Sequence, residues 1–143
     1  MKWLYHVSRL VLGGWWVFSG VMPFVDPAWQ PYGQEPAAIE FTTAMVNSGL
    51  MTCVKLAEIV LGLLILANRL MPIVTFAIVP INFVIVWWNL VLETGTVELV
   101  FGVLTIMFNA VLVWVWRRYL YALFAWRGTP DYSLPKAKGK RLN

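Results

Sequence analysis

Leu50-Met51-Thr52-Cys53-Val54-Lys55-Leu56-Ala57-Glu58-Ile59-Val60-Leu61-Gly62-Leu63-Leu64-Ile65-Leu66-Ala67 is an apolar run of membrane-crossing length that carries two opposite charges one helical turn apart. An ionisable side chain at bilayer depth costs roughly 2.5–3.5 kcal/mol on insertion scales, so a pair of them marks a candidate functional site. Ser48, Thr52, Lys55, Glu58 and Gly62 follow steps of 4, 3, 3 and 4, which places them on one face of a helix of period 3.6. That face is expected to turn away from lipid.

Composition supports a membrane reading. The chain is 60% hydrophobic and 13% charged, and its nine tryptophans and mean hydropathy of +0.71 describe an integral membrane protein. Four segments are long and apolar enough to span, at about residues 7–25, 50–67, 71–92 and 97–116. The expected fold is all-α: a four-transmembrane-helix bundle over residues 1–128, followed by a basic cytoplasmic tail, 129–143. The first apolar stretch contains Trp15 and Trp16 and lacks a small-residue cleavage site, so it reads as a retained span.

Basic residues set the expected orientation. Lys2, Arg9, Arg69, Arg117, Arg118, Arg127, Lys136, Lys138, Lys140 and Arg141 all fall on one side of this four-span arrangement, whereas Asp26, Glu35, Glu40, Glu93 and Glu98 fall on the other. The positive-inside rule then puts both termini in the cytoplasm, as expected for a multi-pass protein of the bacterial inner membrane. The net charge of +4 sits on that side and suits anionic lipid heads rather than nucleic acid.

Residues 26–48 form the only long outer connection. Pro27, Pro31, Gly33 and Pro36 keep its start irregular, and Pro36 is suited to open a short outer interfacial helix over 37–46. Ile39, Phe41 and Met45 are then available to dip into the interface. This helix either runs straight into the second span or bends near Ser48 and Gly49. After the fourth span, residues 117–127 mix arginines with aromatic and aliphatic residues and read as a cytoplasmic interfacial helix.

The other spans carry matching polar stripes: Thr75, Asn82 and Asn89 on the third, Glu98, Gly102, Thr105 and Asn109 on the fourth, and Ser8, Trp15 and Ser19 on the first. Polar groups without water need partners, so these faces are expected to meet inside the bundle. With Leu50 near the outer boundary, Glu58 lies roughly 12 Å deep and Asn82 roughly 15 Å deep. The expected result is a polar pocket towards the outside, with Lys55, Glu58, Thr52, Asn82, Asn89, Thr105 and Asn109 as candidate ligand-binding residues, over a dry cytoplasmic half.

At about 4 Å and an effective dielectric of about 20, Lys55 and Glu58 attract by roughly 4 kcal/mol, comparable to the summed cost of inserting them. A purely structural pair is therefore physically sufficient, and a ligand or proton role remains the alternative. Single Cys53 and single His6 supply no disulfide, no two-histidine haem site and no metal centre; Gly49, Cys53 and Ala57 instead suggest a groove for close helix approach. Adjacent helical residues point about 100° apart, so with Trp15 inside, Trp16 is expected outside. Trp16, Arg117, Arg118 and Trp126 are the candidate partner contacts, and the basic tail is expected to be ordered by a partner.

The run Gly49 to Leu66 with its Lys55-x-x-Glu58 and Gly62, then Asn68-Arg69-Leu70-Met71-Pro72, then Val79-Pro80-Ile81-Asn82, resembles the DoxX-like family of small four-helix membrane proteins. Arg9-Leu10 with Gly13, Gly14, Ser19 and Gly20 looks like that family's first helix, and the likeness covers about residues 5–120. Members often show a His late in the third helix where this chain has Asn89, so a metal or proton role at that position is not carried over. The resemblance implies association with membrane redox enzymes. Two functions follow as expectations: a non-catalytic integral subunit of a larger membrane complex, or a quinone- or lipid-binding component of a membrane oxidoreductase with Lys55 and Glu58 in its pocket.

Overall fold

The computed structural model describes residues 2–121, whose regular structure is all helical, with no strand among them. Helix α1 spans Lys2–Val25, a single 3-10 turn covers Pro27–Trp29, and α2 spans Pro36–Asn47. Helices α3 (Leu50–Leu66) and α4 (Met71–Trp87) follow, α4 passing into a π turn over Trp88–Leu92, and α5 spans Thr96–Leu120. Two of these, Met71–Leu92 and Thr96–Leu120, are long and apolar enough to cross a membrane, and the bent pair Pro36–Asn47 plus Leu50–Leu66 passes the same test when taken as one broken span. At 24 residues α1 is about 36 Å long, but Arg9, its glycines and its tryptophans dilute its apolar character.

Local chemistry explains where the helices stop. Pro36 occupies the first turn of α2, where its missing N–H is not needed. The junction with α3 bends by 87°, which decides for the bend at Ser48 and Gly49. Gly49 has φ +76°, a left-handed value that glycine adopts without a Cβ penalty. At the other end of α3, Asn68 adopts φ +56°, Arg69 N–H bonds Leu64 O, and Asn68 N–H bonds Ile65 O. This is a Schellman stop with asparagine in the position usually held by glycine. The Arg9 guanidinium also donates to Leu66 O at 3.0 Å, placing a cation on the last carbonyls of α3.

Helices α1 and α3 make the most intimate pair. A Cβ on Gly62 would lie 3.0 Å from Gly13 O and 3.0 Å from Val17 N, and one on Gly20 would lie 2.9 Å from Lys55 O. Backbone approaches backbone along this seam. The close-approach groove is therefore built by Gly13, Gly20 and Gly62, not by Gly49, Cys53 and Ala57: nothing stands within 4 Å of a Cβ on Gly49, and Cys53 is exposed.

The seam also sets the rotation of α1. Its buried residues are Ser8, Leu12, Gly13, Trp16 and Gly20, which keep Ser8 of the expected stripe but put Trp16 and Gly20 where Trp15 and Ser19 were expected. Trp16 is 2% exposed and packs in a core with Leu12, Ile65, Met71, Val74, Ile78 and Leu112. The expectation that Trp16 faces outward is thus overturned, because α1 is rotated to bring Gly13 and Gly20 against α3, and that rotation turns Trp16 into the core. This core lies towards the bundle end that carries Arg9, Asn68 and Arg117, and Tyr5 closes it by donating to Asn68 Oδ1 and accepting from Trp116 Nε1 at 3.2 Å.

Residues 117–120 continue α5 rather than starting a separate interfacial helix. There Arg117 folds back to donate to Trp114 O at 2.5 Å and to stack 4.4 Å over the Trp114 ring. Arg118 is exposed in the same turn. Trp126 and the tail at 129–143 lie outside the described residues. The outer faces of α4 and α5 are exposed and apolar, from Ile73, Phe76 and Phe83 to Val100, Val103 and Met107, a surface suited to hydrocarbon.

Candidate functional site

Towards the opposite end the helices part around a cavity of about 480 Å³. Lys55 and Glu58 form one wall from α3, 6% and 3% exposed, with Lys55 Nζ 2.9 Å from Glu58 Oε2. Lys55 Nζ also donates to Ser19 Oγ at 3.0 Å. This bond follows from packing: Gly20 lets α1 close on the Lys55 carbonyl, and its neighbour Ser19 is carried into reach of the ammonium. An ammonium has three protons, and two are spent on Glu58 and Ser19.

The remaining walls are mostly apolar. Trp15 from α1 stacks on Phe101 of α5 with ring centroids 5.1 Å apart, and Val54, Pro80, Ile81, Val84 and Ile85 continue the lining from α3 and α4. Asn89, Glu98 and Thr105 add polar points on the far side. Pockets for small amphipathic ligands commonly have about 300–1,000 Å³, an apolar lining and a few converging polar groups, and this cavity has all three features.

Helix α2 forms the roof through Phe41, Thr42 and Met45, and the turn between α4 and α5 holds it down. Trp88 Nε1 donates to Thr42 Oγ1 at 3.1 Å. Buried Glu93 accepts from Gln34 N–H at 2.7 Å and Glu35 N–H at 3.3 Å, which sets a carboxylate at the amino end of α2, where the helix dipole favours it. Thr94 Oγ1 donates to Glu35 Oε1 at 2.5 Å. Gly33 at φ +86° passes so close that a Cβ would lie 2.0 Å from Glu93 Oε1. The π turn contributes to the aim: Asn89 Nδ2 bonds Ile85 O at 2.7 Å, a side-chain bond to the i−4 carbonyl that competes with regular helix pairing.

Of the residues singled out by the sequence, the structure brings Lys55, Glu58, Asn89 and Thr105 to one cavity. Thr52 is not among them. It is exposed. Asn82 and Asn109 face inward but do not line the cavity, and neither Asn82 amide atom nor Asn109 Oδ1 has a hydrogen-bond partner. Ser8 Oγ and Thr75 Oγ1 are likewise buried without partners, so the inward polar stripes meet the core but do not bond to one another there.

The sequence reading missed Gln30, Thr42 and Trp88. Trp88 reads as an interfacial aromatic, and only the Ala38–Thr42 spacing, four residues apart on the buried side of α2, signals a roof. Comparison with known proteins returned no matching family, no matching curated protein and no matching solved structure.

Proposed function

We propose that this chain is a multi-pass protein of the bacterial inner membrane whose cavity binds a lipophilic ligand with a polar, oxygen-bearing head, of the quinone class. The observation that carries this reading is the Lys55–Glu58 pair set into the wall of an otherwise apolar 480 Å³ cavity. A structural pair requires only dry packing around it. This one borders a space large enough for a ring, and the third ammonium proton is available to a carbonyl oxygen. The DoxX-like resemblance carried by Lys55, Glu58, Gly62 and Pro80 points the same way. The alternative of a non-catalytic subunit of a larger redox complex rests on Trp16 and the tail; Trp16 is in the core, so the cavity carries the assignment.

In this reading α1, α3, α4 and α5 all span, with both termini cytoplasmic and the cavity near the outer leaflet. Cysteine labelling in a Cys53→Ser background checks it: a cysteine introduced at Gln34 reacts with an impermeant maleimide added outside intact cells, and one introduced at Arg69 does not. Labelling at Arg69 alone would invert the topology.

The binding reading is tested with the purified protein and a short-chain benzoquinone. Quinones quench tryptophan fluorescence on close approach, and Trp15 and Trp88 both line the cavity. Saturable quenching is expected, with affinity reduced by tenfold or more in Lys55→Met/Glu58→Gln, since a hydrogen bond to a charged group is worth about 1.5–3 kcal/mol. Quenching that does not saturate, or that is identical in the double variant, refutes the assignment.

A further inference from the structure

The buried amide of Asn82 is 3% exposed, and neither its Nδ2 nor its Oδ1 has a partner. Turning the amide over does not help, since both atoms are orphaned. A buried polar group left unpaired is costly, and such groups in folded proteins call for a specific explanation.

Its position supplies one. A Cβ on Gly102 would lie 3.3 Å from Asn89 Cβ, so Asn89 and Gly102 stand level on the antiparallel pair α4 and α5. Asn82 is seven residues below Asn89, and Asn109 is seven residues beyond Gly102, so the two asparagines also stand level. Both belong to the inward faces of their helices. The cavity reaches Pro80 and Ile81 on α4, level with Asn82, and Thr105 on α5, one turn above Asn109. The unpaired amide atoms thus lie behind the wall at the inner end of the cavity.

We infer that Asn82 and Asn109 form the deep end of the ligand site proposed above and take a hydroxyl-bearing head, so that the reduced, quinol form of the ligand binds in preference to the quinone. This rests on the reading of the cavity as a ligand site. A carbonyl oxygen only accepts hydrogen bonds, and it satisfies Asn82 Nδ2 alone. A hydroxyl both accepts and donates, so it satisfies Nδ2 and one of the two orphaned oxygens, Asn82 Oδ1 or Asn109 Oδ1. The head reaches them from the inner end of the cavity by displacing the Ile81, Ile85 and Thr105 side chains that line it, while its other oxygen stays near the wall that holds Lys55. Sites built to pair a hydroxyl discriminate strongly against analogues that lack its proton.

The test uses the purified full chain under anaerobic conditions, with displacement of a radiolabelled short-chain benzoquinone by its unlabelled quinone and by the corresponding quinol. The quinol is expected to displace the label at a concentration about tenfold or more lower than the quinone. Asn82→Leu is expected to abolish that preference while raising the thermal midpoint of the free protein, because leucine removes the orphaned amide. Asn109→Leu, measured in parallel, reduces the preference and covers the case in which Asn82→Leu does not fold. Equal displacement by quinol and quinone, or a preference that survives in both variants, overturns the inference and leaves the amides to an internal water. Failure of the label to bind wild-type protein at all overturns the ligand-site reading, and this inference falls with it.

Discussion

Lys55→Met is expected to destabilise the protein by about 3–5 kcal/mol, and to be rescued in large part by adding Glu58→Gln. Removing one member of a buried pair strands the other, whereas removing both also removes the penalty. The structure makes the two single changes unequal. In Lys55→Met the Glu58 carboxylate loses its only hydrogen-bond donor among the described residues, while in Glu58→Gln the ammonium keeps Ser19 and gains a neutral amide oxygen. The expected order of damage is Lys55→Met, then Glu58→Gln, then the double variant, read as unfolding in mild detergent. A double variant as unstable as Lys55→Met would mean that the pair is not the energetic unit the 2.9 Å contact implies.

The same pair shows what could be read without coordinates. Its one-turn spacing inside an apolar run needed only helical periodicity, and the inward placement of Lys55, Glu58, Asn82, Asn89 and Thr105 followed from period and polarity alone. Helix limits were legible for a similar reason, since Pro36 and the turn around Asn68 carry local signals. What was not legible depends on rotation and on contacts across the chain. Ser8 does turn into the core and Trp15 and Ser19 to the cavity, but the close contact with α3 is made by Gly13 and Gly20, about 100–160° round the helix from them. A polarity pattern cannot rank those two faces. The roof could not be foreseen either: Glu93 meets Gln34 and Glu35 across nearly 60 positions, and no local pattern encodes such a contact.

That roof links fold to function. Helix α2 is joined to α3 through Gly49 at a positive φ, and its hydrogen-bonded ties run to Trp88, Glu93 and Thr94 on the turn between α4 and α5. The cavity therefore closes only when two sequence-distant segments meet. The polar groups that do this sit at the acidic end, away from the apolar core around Trp16. The half around Trp16 is thus packed, and the half around the cavity is held by a few directional bonds.

The glycine seam is the joint between those halves, and its replacement is expected to have the second large effect. In Gly20→Ala the new Cβ meets Lys55 O at 2.9 Å and Ile59 N at 3.1 Å, both backbone atoms, so α1 and α3 must separate. Overpacking of this kind costs about 1–3 kcal/mol. Gly62→Ala is expected to cost a similar amount, since its Cβ meets Gly13 O and Val17 N at 3.0 Å. The two differ in what they do to the site. Separation at Gly20 pulls Ser19 from Lys55 and weakens quinone quenching, whereas separation at Gly62, two turns from Lys55 on the core side, lowers stability with little change in affinity. Gly14→Ala is the control, because nothing stands within 4 Å of its Cβ and alanine is the better helix former by about 0.8–1 kcal/mol. Unfolding midpoints and quenching affinities of the three variants decide the matter: if Gly20→Ala is as stable as Gly14→Ala, α1 and α3 do not approach backbone to backbone, and the placement of Ser19 against Lys55 loses its structural cause.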